Sequence, residues 1–106
     1  MNRPDIERPA APVTCDLSAI PPEQRASHIA LARALFGNEN RVRRTESGLE
    51  TSIAPDRLAD AVSFIENERR CCRHLAFTLE VPPSGAPLIL RVTGPGAVDE
   101  LQALVG

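Results

Sequence analysis

The chain has 106 residues, of which 42% are hydrophobic and 25% are charged, and its formal net charge is −2. This length favours a single domain built around one hydrophobic core. The longest apolar runs are far shorter than the ~20 residues of a membrane helix, and the first residues lack the apolar core of a secretory signal. We therefore expect a cytoplasmic protein that does not bind a membrane.

The charge composition argues against a nucleic-acid partner. All 12 basic residues are arginine, 14 acidic residues balance them, and three phenylalanines are the only large aromatic side chains. Proteins that bind nucleic acid usually present a basic face, with aromatic side chains where bases stack. Neither feature is prominent in this sequence.

Composition and hydrophobic spacing divide the chain into a tail and one domain. Residues 1–12 contain three prolines among charged and small residues, which predicts a flexible N-terminal tail. Residues 13–106 are interpreted as a single α+β domain. Its first element is a strand at 13–17, where apolar and polar residues alternate. In that strand Cys15 would face the core.

The remaining elements are marked by their spacing and by turn or capping signals. They are a helix at 21–36, a hairpin at 41–53, a helix at 55–72, strands at 75–81 and 88–93, and a helix at 97–105. The order β-α-β-β-α-β-β-α predicts a ferredoxin-like antiparallel sheet with the helices packed on one face. The strand at 41–45 is poor in apolar residues, which indicates a sheet edge.

The second helix carries an apolar stripe with three- and four-residue spacing. The stripe comprises Leu58, Ala61, Val62, Ile65 and Cys72. Because Cys71 is rotated about 100° from Cys72 on a helix, we expect Cys72 to be the more buried of the two.

Three cysteines are the chemical centre of the sequence. An odd number in a cytoplasmic chain argues against a disulfide framework, whereas thiolates bind zinc, copper(I) and other thiophilic ions. We predict a metal site made of Cys15, Cys71, Cys72 and His74. His28 is an alternative fourth ligand, although its apolar helix face favours a boundary position. Zinc sites do not usually contain adjacent cysteines, so the sequence does not identify which thiophilic ion binds.

Two other functions remain alternatives. Arg69, Arg70 and Arg73 would lower the pKa of a reactive thiol, so the cysteine pair could serve a redox sensor or a small thiol enzyme. The dipole at the helix C-terminus and the Glu68 carboxylate oppose that effect, and we therefore favour binding over catalysis. In a purely structural domain the cysteines would be core residues, and an exposed edge strand could pair two copies into a homodimer.

The sequence also resembles a family of small bacterial proteins without an assigned activity. Their pattern includes C-D-L, P-x-x-R-x-x-H, E-R-x-C-C-P-F and L-T-G-P. The matching residues here are Cys15-Asp16-Leu17, Pro22 with Arg25 and His28, Glu68 through Cys72, and Val92-Thr93-Gly94-Pro95. Arg73 and His74 stand where the pattern has proline and phenylalanine. The resemblance implies that the three cysteines act as a unit, and it implies no particular activity.

Overall fold

The computed structural model describes residues 16–38 and 41–105. These residues form three α-helices and four β-strands. They are α1 (Pro22–Phe36), β1 (Val42–Arg44), β2 (Gly48–Ile53), α2 (Leu58–Cys71), β3 (Ala76–Glu80), β4 (Leu88–Thr93) and α3 (Ala97–Val105). Short 3-10 helices precede α1 and α2, at Leu17–Ala19 and Pro55–Arg57.

The start of the predicted domain lies largely outside the described residues. This applies to the tail at 1–12 and to residues 13–15 of the first predicted strand, Cys15 among them. Asp16 has an extended backbone, and its side chain accepts a hydrogen bond from the Ser18 amide. The first 3-10 helix therefore begins at Leu17, the last residue of the predicted strand.

The four strands form one antiparallel sheet in the order β1-β2-β4-β3. The predicted α+β class is confirmed, as is the predicted order of elements from the first helix onward, and the architecture is compatible with a ferredoxin-like fold. Strand β1 lies at an edge, as its shortage of apolar residues predicts. Strand β3 forms the other edge. Pairing of two copies through an edge stays a prediction.

Side chains alternate across the two central strands, and this alternation places the core on one face of the sheet. The inward residues are Leu49, Thr51 and Ile53 of β2 and Leu88, Leu90 and Val92 of β4. The Thr51 hydroxyl donates to the Leu35 carbonyl at 3.0 Å, so this polar group is satisfied within the core. On the outer face Glu50 forms ion pairs with Arg43 and Arg91.

Helix α1 has the bounds and the buried face that the sequence predicts. Proline suits its first turn, because the first helical amides have no intrahelical acceptor, and Gly37 follows its last residue. The face that packs inward consists of His28, Ala32, Leu35 and Phe36. His28 is thus a buried residue, and its interpretation as a boundary residue is wrong.

Helix α2 is rotated relative to the predicted stripe. Its buried residues are Ala61, Phe64, Glu68 and Cys71, whereas Leu58 and Val62 remain 39% and 43% exposed. The predicted phase is therefore wrong for these two residues. Phe64 has the largest apolar area in the helix, and its ring packs against the rings of His28 and Phe36 at centroid distances of 5.5 Å. Burial of this aromatic side chain favours the observed phase.

The rotation changes the positions of the two adjacent cysteines. Cys71 is the last residue of the buried stripe, and Cys72 caps the helix with a non-helical backbone at φ −119° and ψ 72°. Cys72 is 0% exposed and Cys71 is 4% exposed. Cys72 is thus the more buried of the two, as predicted, but both residues belong to the core. Within residues 16–38 and 41–105, no helix has the length and apolarity needed to cross a bilayer.

The phase of α2 predicts different costs for two truncations in the same helix. Phe64→Ala removes a fully buried ring and should lower the free energy of unfolding by about 3–5 kcal/mol. Val62→Ala changes a half-exposed side chain and should cost about 0.5 kcal/mol or less. Urea denaturation of both variants measures the difference. Equal costs would contradict the observed phase, and Phe64→Leu provides a milder comparison if the alanine variant does not fold.

Candidate metal centre

Three potential ligands from two helices meet in the core. His28 comes from the middle of α1, and Glu68 and Cys71 come from the last turn of α2. One ring nitrogen, one carboxylate oxygen and the Cys71 sulfur all lie within 4.8 Å of one another. All three residues are buried. The group could hold a metal ion, because imidazole, carboxylate and thiolate are the ligand types that proteins use for zinc.

A short hydrogen bond joins the two helices at this site. Nε2 of His28 lies 2.6 Å from Oε2 of Glu68, and both side chains are 0% exposed. The imidazole ring also stacks on Phe64 with an interplanar angle of 17°. The aromatic contact and the hydrogen bond together hold the ring in position before any ligand binds.

Two polar atoms of this pair remain unsatisfied. Nδ1 of His28 and Oε1 of Glu68 are buried and have no hydrogen-bond partner among the described residues. Buried polar atoms are nearly always partnered, and leaving one without a partner costs about 1–3 kcal/mol. Each residue of the pair therefore has one polar atom, Nδ1 or Oε1, that the described residues leave available for a further interaction.

The Cys71 thiol is held in its protonated form. Its sulfur lies 3.6 Å from Oε2 of Glu68, as three-residue spacing on a helix allows. Burial and the Glu68 carboxylate raise the pKa of Cys71 to about 12. Arg69 and Arg70 are exposed, so they do not give this thiol the electropositive surroundings that a reactive cysteine needs.

The neighbouring sulfur is in a different chemical state. Cys71 has a free thiol, whereas Cys72 is disulfide-bonded. The two sulfurs are 3.9 Å apart. The backbone amide of Asp16 donates to the Cys71 carbonyl at 2.8 Å, so Asp16 lies beside this end of α2.

The predicted ligands therefore divide into three groups. Cys71 belongs to the buried cluster, with Cys72 beside it. His74 follows α2 and is not a member of the cluster, although its Nε2 is buried and has no partner among the described residues. Cys15 lies outside the described residues. The ligand roles of Cys15, Cys72 and His74 stay predictions.

Two members of the cluster are absent from the favoured set of predicted ligands. The sequence offers His28 only as an alternative fourth ligand, and it indicates Glu68 as a neighbour of the cysteines that opposes a thiolate, not as a ligand. A signal for both was present in the sequence, since His28 lies on an apolar helix face and Glu68 lies three residues before a cysteine. A buried histidine and a buried carboxylate each need a hydrogen-bond partner, and each of these residues can be the partner of the other.

Comparisons with protein-family models, with curated proteins and with solved structures find no match to this chain. The resemblance to small bacterial proteins therefore stays a prediction. The assignment of a function depends on the geometry of the cluster.

The protonated thiol predicts a loss of stability at alkaline pH. The pKa of Cys71 is raised from its ordinary value of 9.0 to about 12 in the folded chain. The folded state thus favours the neutral thiol, and this stabilisation is present below pH 9.0 and is lost as the pH rises towards 12. The slope for one proton is at most about 1.4 kcal/mol per pH unit.

The chain suits this measurement because it contains no lysine and no tyrosine. Its cysteines are therefore the only side chains expected to titrate across that range. Urea denaturation of reduced, metal-free protein should show a steeper alkaline loss for the wild type than for Cys71→Ser. Parallel curves for the two proteins would show that Cys71 titrates with its ordinary pKa in the folded state.

Proposed function

We propose that the protein binds a thiophilic metal ion through Cys71, His28 and Glu68. The observation that carries this proposal is the convergence of three ligand types in a buried cluster. Its imidazole and its carboxylate each have one atom without a partner among residues 16–38 and 41–105. Burial of a carboxylate, an imidazole and a thiol in one place is costly unless these polar groups are fully paired. A bound metal ion would pair them and would explain why the core contains all three.

The donor set favours a zinc-class ion. Zinc accepts nitrogen, oxygen and sulfur ligands at about 2.0–2.3 Å, so tetrahedral ligands lie roughly 3.3–3.8 Å apart. The ligand atoms here lie within 4.8 Å, and small side-chain rotations would bring them to that separation. The 2.6 Å contact between His28 and Glu68 would lengthen as the ion replaces their shared proton.

Additional thiolates would make the site softer. Cys15 and Cys72 are predicted as ligands from the sequence, and in their reduced, thiolate form they would favour copper(I) or mercury(II) over harder ions. His74 is the fourth predicted ligand, and its Nε2, which no described residue hydrogen-bonds, would be available to a metal. The resemblance pattern supports the same location, because it includes Cys15, His28, Glu68, Cys71 and Cys72.

The properties of Cys71 favour metal binding over nucleophilic catalysis. A catalytic thiol has to be accessible and easily ionised, whereas Cys71 is 4% exposed and its pKa is raised to about 12. A metal ion overcomes this barrier because its bond to sulfur displaces the proton. Binding therefore becomes tighter as the pH rises through the neutral range.

Competition against a chromophoric chelator tests the proposal. The reduced 106-residue chain, stripped of metal, should bind one zinc ion per chain. Glu68→Gln and Cys71→Ser should each weaken binding about tenfold or more, since even second-shell partners are typically worth tenfold. Glutamine keeps the size of Glu68 and can still hydrogen-bond His28, so this variant removes the charge with little change in packing.

Glu66→Gln is the matched control, because Glu66 is an exposed residue of the same helix. Its zinc affinity should equal that of the wild type, and circular dichroism should confirm that all three variants are folded. The proposal is wrong if the wild type binds no zinc, or if folded Cys71→Ser and Glu68→Gln bind it as tightly as the control.

A further inference from the structure

A cavity of about 400 Å³ lies between the end of α1, strands β1 and β2, and helix α3. Its apolar lining consists of Phe36, Val42, Leu49, Val98, Leu101 and Val105. None of these residues belongs to the candidate metal centre. Cavities that bind small molecules are mostly apolar and typically have volumes of roughly 300–1,000 Å³. The volume and the lining therefore suit a small organic molecule with an apolar body.

Two exposed polar residues, Arg44 and Gln102, also line the cavity. Arg44 lies directly opposite Leu49 in the register of β1 and β2, and residues opposite each other in an antiparallel pair project to the same face of the sheet. Leu49 is buried in the core, so Arg44 projects towards the helices. Its neighbour Arg43 projects to the outer face, where it pairs with Glu50.

The positive charge of Arg44 is not neutralised within the part of the chain that the structure describes. Its guanidinium has no ion pair or hydrogen bond among residues 16–38 and 41–105, and no acidic residue lines the cavity. By contrast, Arg43 and Arg91 on the outer face of the same sheet both pair with Glu50. The cavity therefore combines apolar walls with one uncompensated positive charge at its opening.

This combination favours a ligand that has an apolar body and a carboxylate. A guanidinium donates two parallel hydrogen bonds to a carboxylate, and this paired geometry provides both strength and orientation. One guanidinium also matches the single charge of a carboxylate better than the double charge of a phosphate. The exposed position of Arg44 would leave the charged end of the ligand at the surface while its apolar part enters the cavity.

We propose that this cavity binds a small aliphatic carboxylate, a medium-chain fatty acid such as octanoate, whose carboxylate pairs with Arg44. The hydrocarbon chain would pack between Leu49 of the sheet and Leu101 of α3. This site does not depend on the proposed metal centre, since the two share no residue. An inward charge on an edge strand can also prevent two sheets from pairing, but that role requires no ligand.

Calorimetric titration of the metal-free 106-residue chain with octanoate and with 1-octanol tests the proposal. At pH 7 the carboxylic acid is ionised, and the alcohol has the same chain without the charge. Octanoate should bind at one site per chain and about tenfold more tightly than octanol, which is the effect of one charge-assisted hydrogen bond. Arg44→Gln should remove this difference by weakening octanoate binding about tenfold while octanol binding stays unchanged.

Arg43→Gln is the matched control, because Arg43 is the preceding residue of the same strand and projects from the opposite face. Its affinity for both ligands should equal that of the wild type. Val98→Phe tests the location, since a larger side chain in the lining should weaken the binding of both ligands. Circular dichroism should confirm that all three variants are folded.

Several results would overturn the proposal. The wild type could bind no octanoate, or it could bind octanoate and octanol equally. Arg44→Gln could bind octanoate as tightly as Arg43→Gln, or folded Val98→Phe could bind both ligands like the wild type. If the wild type binds no octanoate and Arg44→Gln forms larger species in sedimentation, Arg44 protects the edge of the sheet instead. None of these results affects the test of zinc binding, because the cluster residues are unchanged.

Discussion

The hydrogen bond between His28 and Glu68 constrains how the two long helices pack. Both side chains are 0% exposed and their polar atoms lie 2.6 Å apart. Removal of either group from water is costly unless the other compensates it. Helices α1 and α2 therefore pack in the phase that brings these residues together. That phase turns Phe64 and Cys71 into the core and leaves Val62 at the surface.

The same interaction explains which parts of the fold can be predicted from the sequence. The proline at the start of α1 and the glycine after its end determine the bounds of the helix through local contacts. The alternation of side chains along β2 and β4 is also a local property, and all three elements have their predicted form. The phase of α2 is different, because an amphipathic pattern treats a glutamate as an outward residue. Glu68 faces inward because it bonds to the buried His28. His28 lies 40 residues away in the chain, and hydrophobic spacing contains no information about so distant a contact.

The candidate site shows the same division. Two adjacent cysteines in a charged segment are unusual, and this local signal points to the end of α2, where the cluster of His28, Glu68 and Cys71 lies. His28 and Glu68 are ordinary residues when each is considered alone. Their chemical importance arises only when the fold pairs them, so the cluster becomes recognisable from the combination of burial, distance and unpartnered atoms.

Burial also relates the stability of the metal-free protein to the choice of ion. In the absence of a metal, the Cys71 thiol and the His28–Glu68 hydrogen bond each contain a proton. An ion bound at the proposed site would have to displace these protons, and the raised pKa of Cys71 would make the displacement costly. Only an ion that bonds strongly to sulfur would offset this cost, whereas magnesium and calcium gain little from a thiolate. The low polarity that keeps the thiol neutral would therefore also select for thiophilic ions.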